Sequence, residues 1–256
     1  MGILVKTRVE WARGWLALNH YSGCGHLCKY CYGRKILEER FRRVKWSKPK
    51  LKKPLGEILG EVKRLKGRVV WLSSATDPYQ PLETVLKATR ALVKALRDRN
   101  RIVILTKSDL VLRDVNLLDS ARVGLTITSL KPNPLEPHAP PPRDRIDALK
   151  TLKELGFETF VSVEPWIPKI SAPLSELILE IADYADWIIL GRLNYWPGVS
   201  SKYYRLRLPG LIRFLEKQGL KNKVLVKEEL RKCLPLYDWS WTLDNIERWL
   251  DWSTPR

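Results

Sequence analysis

No run of eighteen consecutive apolar residues occurs in this chain of 256 residues, which excludes a membrane-spanning helix of ordinary length. The opening stretch, MGILVKTRVEWARGW, lacks the unbroken apolar block and small-residue cleavage site of a secretory signal. The expected compartment is therefore the cytoplasm. Thiols stay reduced there, and clustered cysteines point to metal or catalysis rather than to disulfides. No second C-x2-C and no H-x3-H pair is present, so a zinc ribbon would lack half of its ligands. Acidic residues are also scarce: 28 Asp and Glu face 46 Lys and Arg, for a net charge of +18.

That positive excess is concentrated. Between Lys29 and Arg68 stand fifteen basic and four acidic residues, a local charge of +11. Such a field attracts polyanions and makes nucleic acid a candidate partner. The competing reading is a solvated surface rich in charge, although such surfaces normally balance their signs.

Strands and helices alternate along the chain. WLALN (15–19), VVWLSS (69–74), RIVILTKS (101–108), RVGLTITS (122–129), FETFVSVEPWIP (157–168) and DWIILG (186–191) read as six apolar strands. Between them lie helical patterns, at 55–67, from Pro81 to about 96, around 111–118, after the proline-rich KPNPLEPHAPPP, and in SELILEIADYA. This alternation predicts an α/β fold with a parallel sheet, a partial (β/α)6 TIM-like barrel over residues 1–200. Residues 201–256 are expected to form a mainly helical, Trp-rich extension packing on the barrel. Trp241, Ile246, Trp249 and Leu250 sit at helical spacing there, as a core-facing stripe.

The strand ends expected to carry function are polar. The first reads NHYSGCGHLCKYCYGR and holds Cys24, Cys28 and Cys31 in C-x3-C-x2-C spacing. The remaining cysteine, Cys233, lies about two hundred residues further on. A structural zinc ion would need a fourth ligand, with His20 or His26 the local candidates. A [4Fe–4S] cluster bound by three thiolates instead leaves one iron free for a non-protein ligand.

The three cysteines, with Tyr30 before the last, resemble the radical S-adenosylmethionine (radical SAM) superfamily. SSATDPYQPLE, ILTKSDLVLRDVNLL and LEPHAPPPRDRIDALKTLKELG extend the resemblance to its spore photoproduct lyase-related (SplB-like, DNA repair photolyase-like) branch. The resemblance implies that Cys24, Cys28 and Cys31 hold the cluster. It also implies that the reduced cluster cleaves S-adenosylmethionine to a 5′-deoxyadenosyl radical, drawing its electron from a donor such as ferredoxin or flavodoxin. Ser73, Ser74, Thr76 and Asp77 fall where the superfamily holds the cofactor amino group. Lys107 matches a lysine that reaches the cofactor. Thr126 or Thr128 would face the ribose, Arg145 the cofactor carboxylate, and Glu164 the adenine.

One departure stands out. Spore photoproduct lyases use a cysteine hydrogen donor just after the second strand, where this chain has Ser74. An O–H bond is far too strong to replace a thiol, which leaves Cys233 as the candidate donor if it folds back. The implied function is a radical SAM enzyme acting on a nucleic-acid base or nucleotide. The alternatives are the same chemistry on a protein or small anionic substrate, or a non-catalytic zinc or nucleic-acid-binding module.

Overall fold

The structure, a computed structural model, describes residues 2–252. Its strands are β1 (Leu4–Lys6), β2 (Leu16–Leu18), β3 (Tyr21–Ser22), β4 (Lys50–Leu51), β5 (Val69–Leu72), β6 (Arg101–Thr106), β7 (Ala121–Thr126), β8 (Glu158–Trp166), β9 (Trp187–Arg192) and β10 (Val224–Val226). Eight of them form one sheet in the order β1-β2-β5-β6-β7-β8-β9-β10. Only the β1–β2 pair is antiparallel; every other neighbouring pair in it is parallel. β3 and β4 make a separate antiparallel ribbon that braces the cysteine loop.

The six strands read from the sequence are all present and in order. A seventh parallel strand, β10, comes from the segment expected to be mainly helical. The sheet does not close, and β1 and β10 are its edges. The fold is thus an open, partial barrel.

The helices are α1 (Tyr32–Arg34, continued in wider turns over Lys35–Arg40), α2 (Leu55–Val62), α3 (Glu83–Leu86), α4 (Ala88–Leu96), α5 (Pro142–Glu154), α6 (Leu174–Ala182), α7 (Ser201–Lys217), α8 (Glu228–Arg231) and α9 (Ser240–Leu250). The single helix expected after Pro81 is broken at Lys87, whose φ of +49° is left-handed and ends α3 before α4 starts. The short helix expected near 111–118 is a 3-10 helix, Asp109–Leu117. α2, α4, α5 and α6 press fully buried residues onto the outer face of the sheet, among them Ile58, Leu92, Leu149 and Ile178.

The inner face has a different character. Trp11, Trp15, Trp71, Phe160, Trp187 and Trp249 fill the base of the lumen as one cluster. Trp249 is fully buried and donates its indole N–H to the Trp11 carbonyl at 2.7 Å. Arg122, paired with Glu158 at 2.6 Å, lays its guanidinium 3.8 Å from the Trp252 ring and donates to the Trp249 carbonyl. α9 is therefore a plug in the barrel, and its Trp249 excludes water from beneath the strand ends.

Candidate functional site

The cysteines lie on the loop after β2, at the C-terminal end of the sheet. Gly23 opens this loop with φ +81°, and a Cβ there would meet the Trp46 carbonyl oxygen at 2.6 Å. Only glycine fits both constraints. At the other end, a Cβ on Gly33 would stand 2.4 Å from the Ala75 carbonyl oxygen, so α1 packs directly on the loop after β5. Gln80 ties the two loops together, accepting from the Gly25 N–H at 2.9 Å and donating to the Gly23 carbonyl at 3.3 Å.

A third loop completes the enclosure. The proline-rich segment before α5 accepts the Lys29 N–H on the Leu135 carbonyl at 2.8 Å. From that loop Glu136 turns inward, 5% exposed, and receives the Tyr30 hydroxyl, the Thr128 hydroxyl at 3.0 Å and the Arg145 guanidinium at 2.6 Å. Burial opposes its charge, but Lys107 and Arg145 outweigh burial and hold its carboxyl below the usual range.

Cys24 and Cys28 are buried and Cys31 is partly so. Burial pushes all three thiols upward, Cys28 to about 12. A coordinating metal deprotonates such thiols outright. Among the described residues, no three His, Cys, Asp or Glu side chains converge on a point where one metal ion would sit. Three cysteines on one short loop suit an iron–sulfur cluster that leaves one iron free of protein ligands. The Thr76 hydroxyl is buried without a partner, and the Lys107 ammonium lies 5.6 Å from the Tyr30 ring centroid. Both are polar groups left for a bound molecule.

The family model of the radical SAM superfamily matches residues 18–169, a span running from β2 through β8. This chain belongs to the radical SAM superfamily. An uncharacterized protein of Methanocaldococcus jannaschii is 36% identical over 194 residues, covering 73% of each chain. Another, from Acidianus two-tailed virus, is 31% identical over 217 residues, covering 76% of this chain and 71% of its own. Spore photoproduct lyase complexed with dinucleoside spore photoproduct superposes with a TM-score of 0.62 at 13% identity, over 87% of this chain and 78% of that one. Streptococcus suis SuiB bound to precursor peptide SuiA gives 0.60 at 14% identity, over 86% and 50%. At such identities the likeness shows the fold. The protein is a radical SAM enzyme, and membership implies S-adenosylmethionine and an iron–sulfur cluster as its cofactors.

Within this radical SAM enzyme the residues singled out from the sequence divide into two sets. Thr76, Lys107 and the cysteines have unengaged polar atoms, as a cofactor site requires. Asp77 does not. Its Oδ1 accepts from the Thr106 hydroxyl at 2.6 Å and the Tyr79 N–H at 2.8 Å; its Oδ2 accepts from the Lys107 N–H at 2.8 Å and faces His26 Nε2 at 3.3 Å. Asp77 is a brace between the second and third strand ends and offers no spare oxygen to a cofactor amino group. Arg145 is likewise occupied, donating to the Pro140 and Thr126 carbonyls and to Glu136. It fastens the proline-rich loop to β7.

Thr128 is held by Glu136 and Asn133, while Thr126 lies on β7 itself. Ser73 has φ +57° and its hydroxyl meets His20 Nδ1 at 3.4 Å, while the Ser74 hydroxyl donates to Asn19 at 3.3 Å. Glu164 pairs with Lys227. Cys233 stands apart: it is buried in the main core, its thiol directed at the Glu229 carbonyl at 3.6 Å, with Arg192 at 3.8 Å. That packing leaves it no route to act as a hydrogen donor. Glu136 and Gln80, which hold the cysteine loop, are the residues that sequence reasoning missed. No local pattern marks them, because each is recruited by a partner distant in the chain.

Proposed function

We propose that this radical SAM enzyme holds a [4Fe–4S] cluster on Cys24, Cys28 and Cys31 and acts on a nucleic-acid base or nucleotide. When bound, the cluster and S-adenosylmethionine supply a reductive cleavage that yields a carbon radical able to abstract hydrogen. The chain's own part is enclosure and orientation. The three loops fastened by Gln80, Asp77 and Glu136 fix the thiols, and the tryptophan plug keeps water from below. Ferredoxin or flavodoxin in a reducing cytoplasm is the fitting electron source.

The observation that carries the substrate class is the state of the basic segment. Its nearest acids are already used: Glu38 and Glu39 pair with Arg34 and Lys35. Arg40, Arg42, Arg43, Lys45, Lys48 and Lys50 are exposed and form no ion pair among the described residues. Arg40 and Arg43 flank the exposed Phe41 ring at 5.4 and 4.9 Å. Like charges crowded at one edge repel each other, and a polyanion relieves that repulsion. α1 begins one residue after Cys31 and its extension ends at Arg40. The patch thus starts at the far end of the helical segment that leaves the cluster loop. That separation suits phosphates flanking a nucleotide whose base enters the barrel.

The test uses enzyme reconstituted anaerobically with iron and sulfide, whose broad blue-region absorbance should bleach with dithionite. Affinity for a short duplex or a tRNA should fall steeply with salt. Replacing Arg40, Arg42, Arg43 and Lys45 with Gln should flatten the slope by roughly three units, close to 0.9 for each phosphate no longer neutralised. A variant with wild-type salt dependence refutes nucleic acid at this surface and favours a protein or small anionic substrate.

A further inference from the structure

The loop that leaves β9 faces two ways. Leu193 and Trp196 turn inward and pack with Cys28, Tyr30 and Cys31, and with Ile167 from the end of β8. The Leu193 N–H donates to the Tyr204 hydroxyl at 2.9 Å, and that hydroxyl donates to the Trp166 carbonyl at 2.9 Å. The loop is thereby fastened to α7 and β8. Between its two anchored residues Tyr195 faces outward, 60% exposed, with a left-handed φ of +56°. A residue other than glycine adopts that backbone only where its surroundings impose it. The packing of Leu193 and Trp196 thus holds a bulky ring in the open.

Opposite the ring stands the wide-turned segment Lys35–Arg40, which continues α1 away from the cysteine loop. Tyr195 and Lys35, Ile36, Glu39 and Arg40 line a cleft of about 340 Å³. That is the small end of ligand sites, which run from about 300 to 1,000 Å³, and suits a single nucleotide. Wide helical turns of this kind are rare and collect at functional sites. Both walls are tied to the cysteine loop: α1 begins one residue after Cys31, and Trp196 packs in the same layer as Cys28. Within the cleft Lys35 neutralises Glu39 at 2.8 Å, whereas Arg40 forms no ion pair among the described residues. Arg40 also flanks the Phe41 ring with Arg43, so it belongs to the cleft and to the basic patch at once.

We propose that Tyr195 is a stacking platform for the base of an unpaired nucleotide next to the target, with Arg40 taking the adjoining phosphate. This rests on the nucleic-acid reading above and deepens it by naming the form of the strand. An exposed aromatic ring beside an unpaired guanidinium matches the two features of a nucleotide, a π face and a phosphate. In a double helix both faces of a base are covered by its neighbours. The ring therefore serves only a single-stranded or locally opened strand. Anchors on either side keep the ring in place before binding, which lowers the cost of ordering it. Every base has a π face, so the platform holds the strand without reading its sequence. A protein segment fits less well, because Ile36 is the one aliphatic side chain in the lining and gives no pocket for a hydrophobic anchor.

The test uses the reconstituted holoenzyme and two labelled single strands of equal length, followed by fluorescence anisotropy at several salt concentrations. One strand is oligo-dT; the other has abasic interior sugars and carries the same phosphates. Wild type should bind the base-bearing strand tighter by roughly five- to a hundredfold, the worth of one stacked base. Tyr195→Ala should close most of that gap while leaving the affinity for the abasic strand and the salt slope unchanged. Tyr195→Phe keeps the ring and should keep the gap. Retained iron and an unchanged melting temperature show that a variant folds. If Tyr195→Ala does not fold, Tyr195→Asn, which tolerates the left-handed backbone, takes its place with the same outcome expected. A gap that survives in the folded variant, or that Tyr195→Phe also loses, overturns the proposal. So does an equal loss on both strands, which would make Tyr195 a support for the shape of the cleft. A wild type with a steep salt slope and no gap overturns it as well, and leaves the basic-surface reading standing. Absence of salt-dependent binding to either strand instead defeats the nucleic-acid reading on which the proposal rests.

Discussion

Replacing Asp77 with alanine should destabilise the protein more than its small volume suggests. The carboxylate accepts the Thr106 hydroxyl at 2.6 Å and the Tyr79 and Lys107 N–H groups at 2.8 Å each, and it is 9% exposed. Alanine would leave three buried donors unsatisfied, each costing about 1–3 kcal/mol. A combined loss of roughly 3–9 kcal/mol is a large fraction of the 5–15 kcal/mol typical of a folded domain. Asp77→Asn keeps Oδ1 but turns an amide donor toward the Lys107 N–H, so it should fall between the two.

The pH dependence supplies a second check on the same residue. Burial alone would raise the Asp77 carboxyl, but His26, the Thr106 hydroxyl and the Lys107 N–H hold it at about 2 in the folded protein. A depressed folded pKa contributes stability that is fully present above the unfolded value near 4 and is lost as the pH falls toward 2. The stability gap between wild type and Asp77→Asn should therefore be constant near neutrality and narrow by about 2 kcal/mol between pH 4 and pH 2. Urea denaturation across this range, under anaerobic conditions, measures both effects. A variant within about 0.5 kcal/mol of wild type at pH 7, the usual range for an unremarkable surface position, would refute the brace.

Two further outcomes follow from the packing. Changing Cys24, Cys28 or Cys31 to Ala should each abolish iron retention after reconstitution. Cys233→Ala should keep it and cost on the order of 1 kcal/mol as a buried apolar position, and iron loss in that variant would refute the three-thiol site. Trp249→Ala should cost about 3–5 kcal/mol by denaturant titration, and a loss below about 1 kcal/mol would mean that the lumen does not depend on the plug.

The parallel strands β5 to β9 are legible in the sequence because each is an apolar run closed by turn residues. β10 is not. Val224–Val226 is three apolar residues between Lys223 and Lys227, a pattern equally at home in a loop, and pairing with β9 makes it a strand. The cysteines announce themselves by spacing, whereas the groups that hold their loop do not. Glu136 sits in KPNPLEPHAPPP, where a carboxylate reads as solvated. It is buried only because Tyr30 and Arg145 approach it from distant parts of the chain. Asp77 is recognisable as a turn residue before Pro78. Its dual attachment to β6 depends on the parallel neighbour and lies beyond any local pattern.

The tryptophan plug has a consequence for how this enzyme matures. Trp249 reaches Trp11 across a sequence separation of 238, so the base of the lumen is among the most non-local parts of the fold. A nascent chain that has completed β2 through β9 holds the cysteine loop and most of the sheet, yet its barrel is still an oily funnel open at the bottom. The cavity acquires its depth only when α9 arrives, so the working volume of the active end is set by a helix at the opposite end of the barrel.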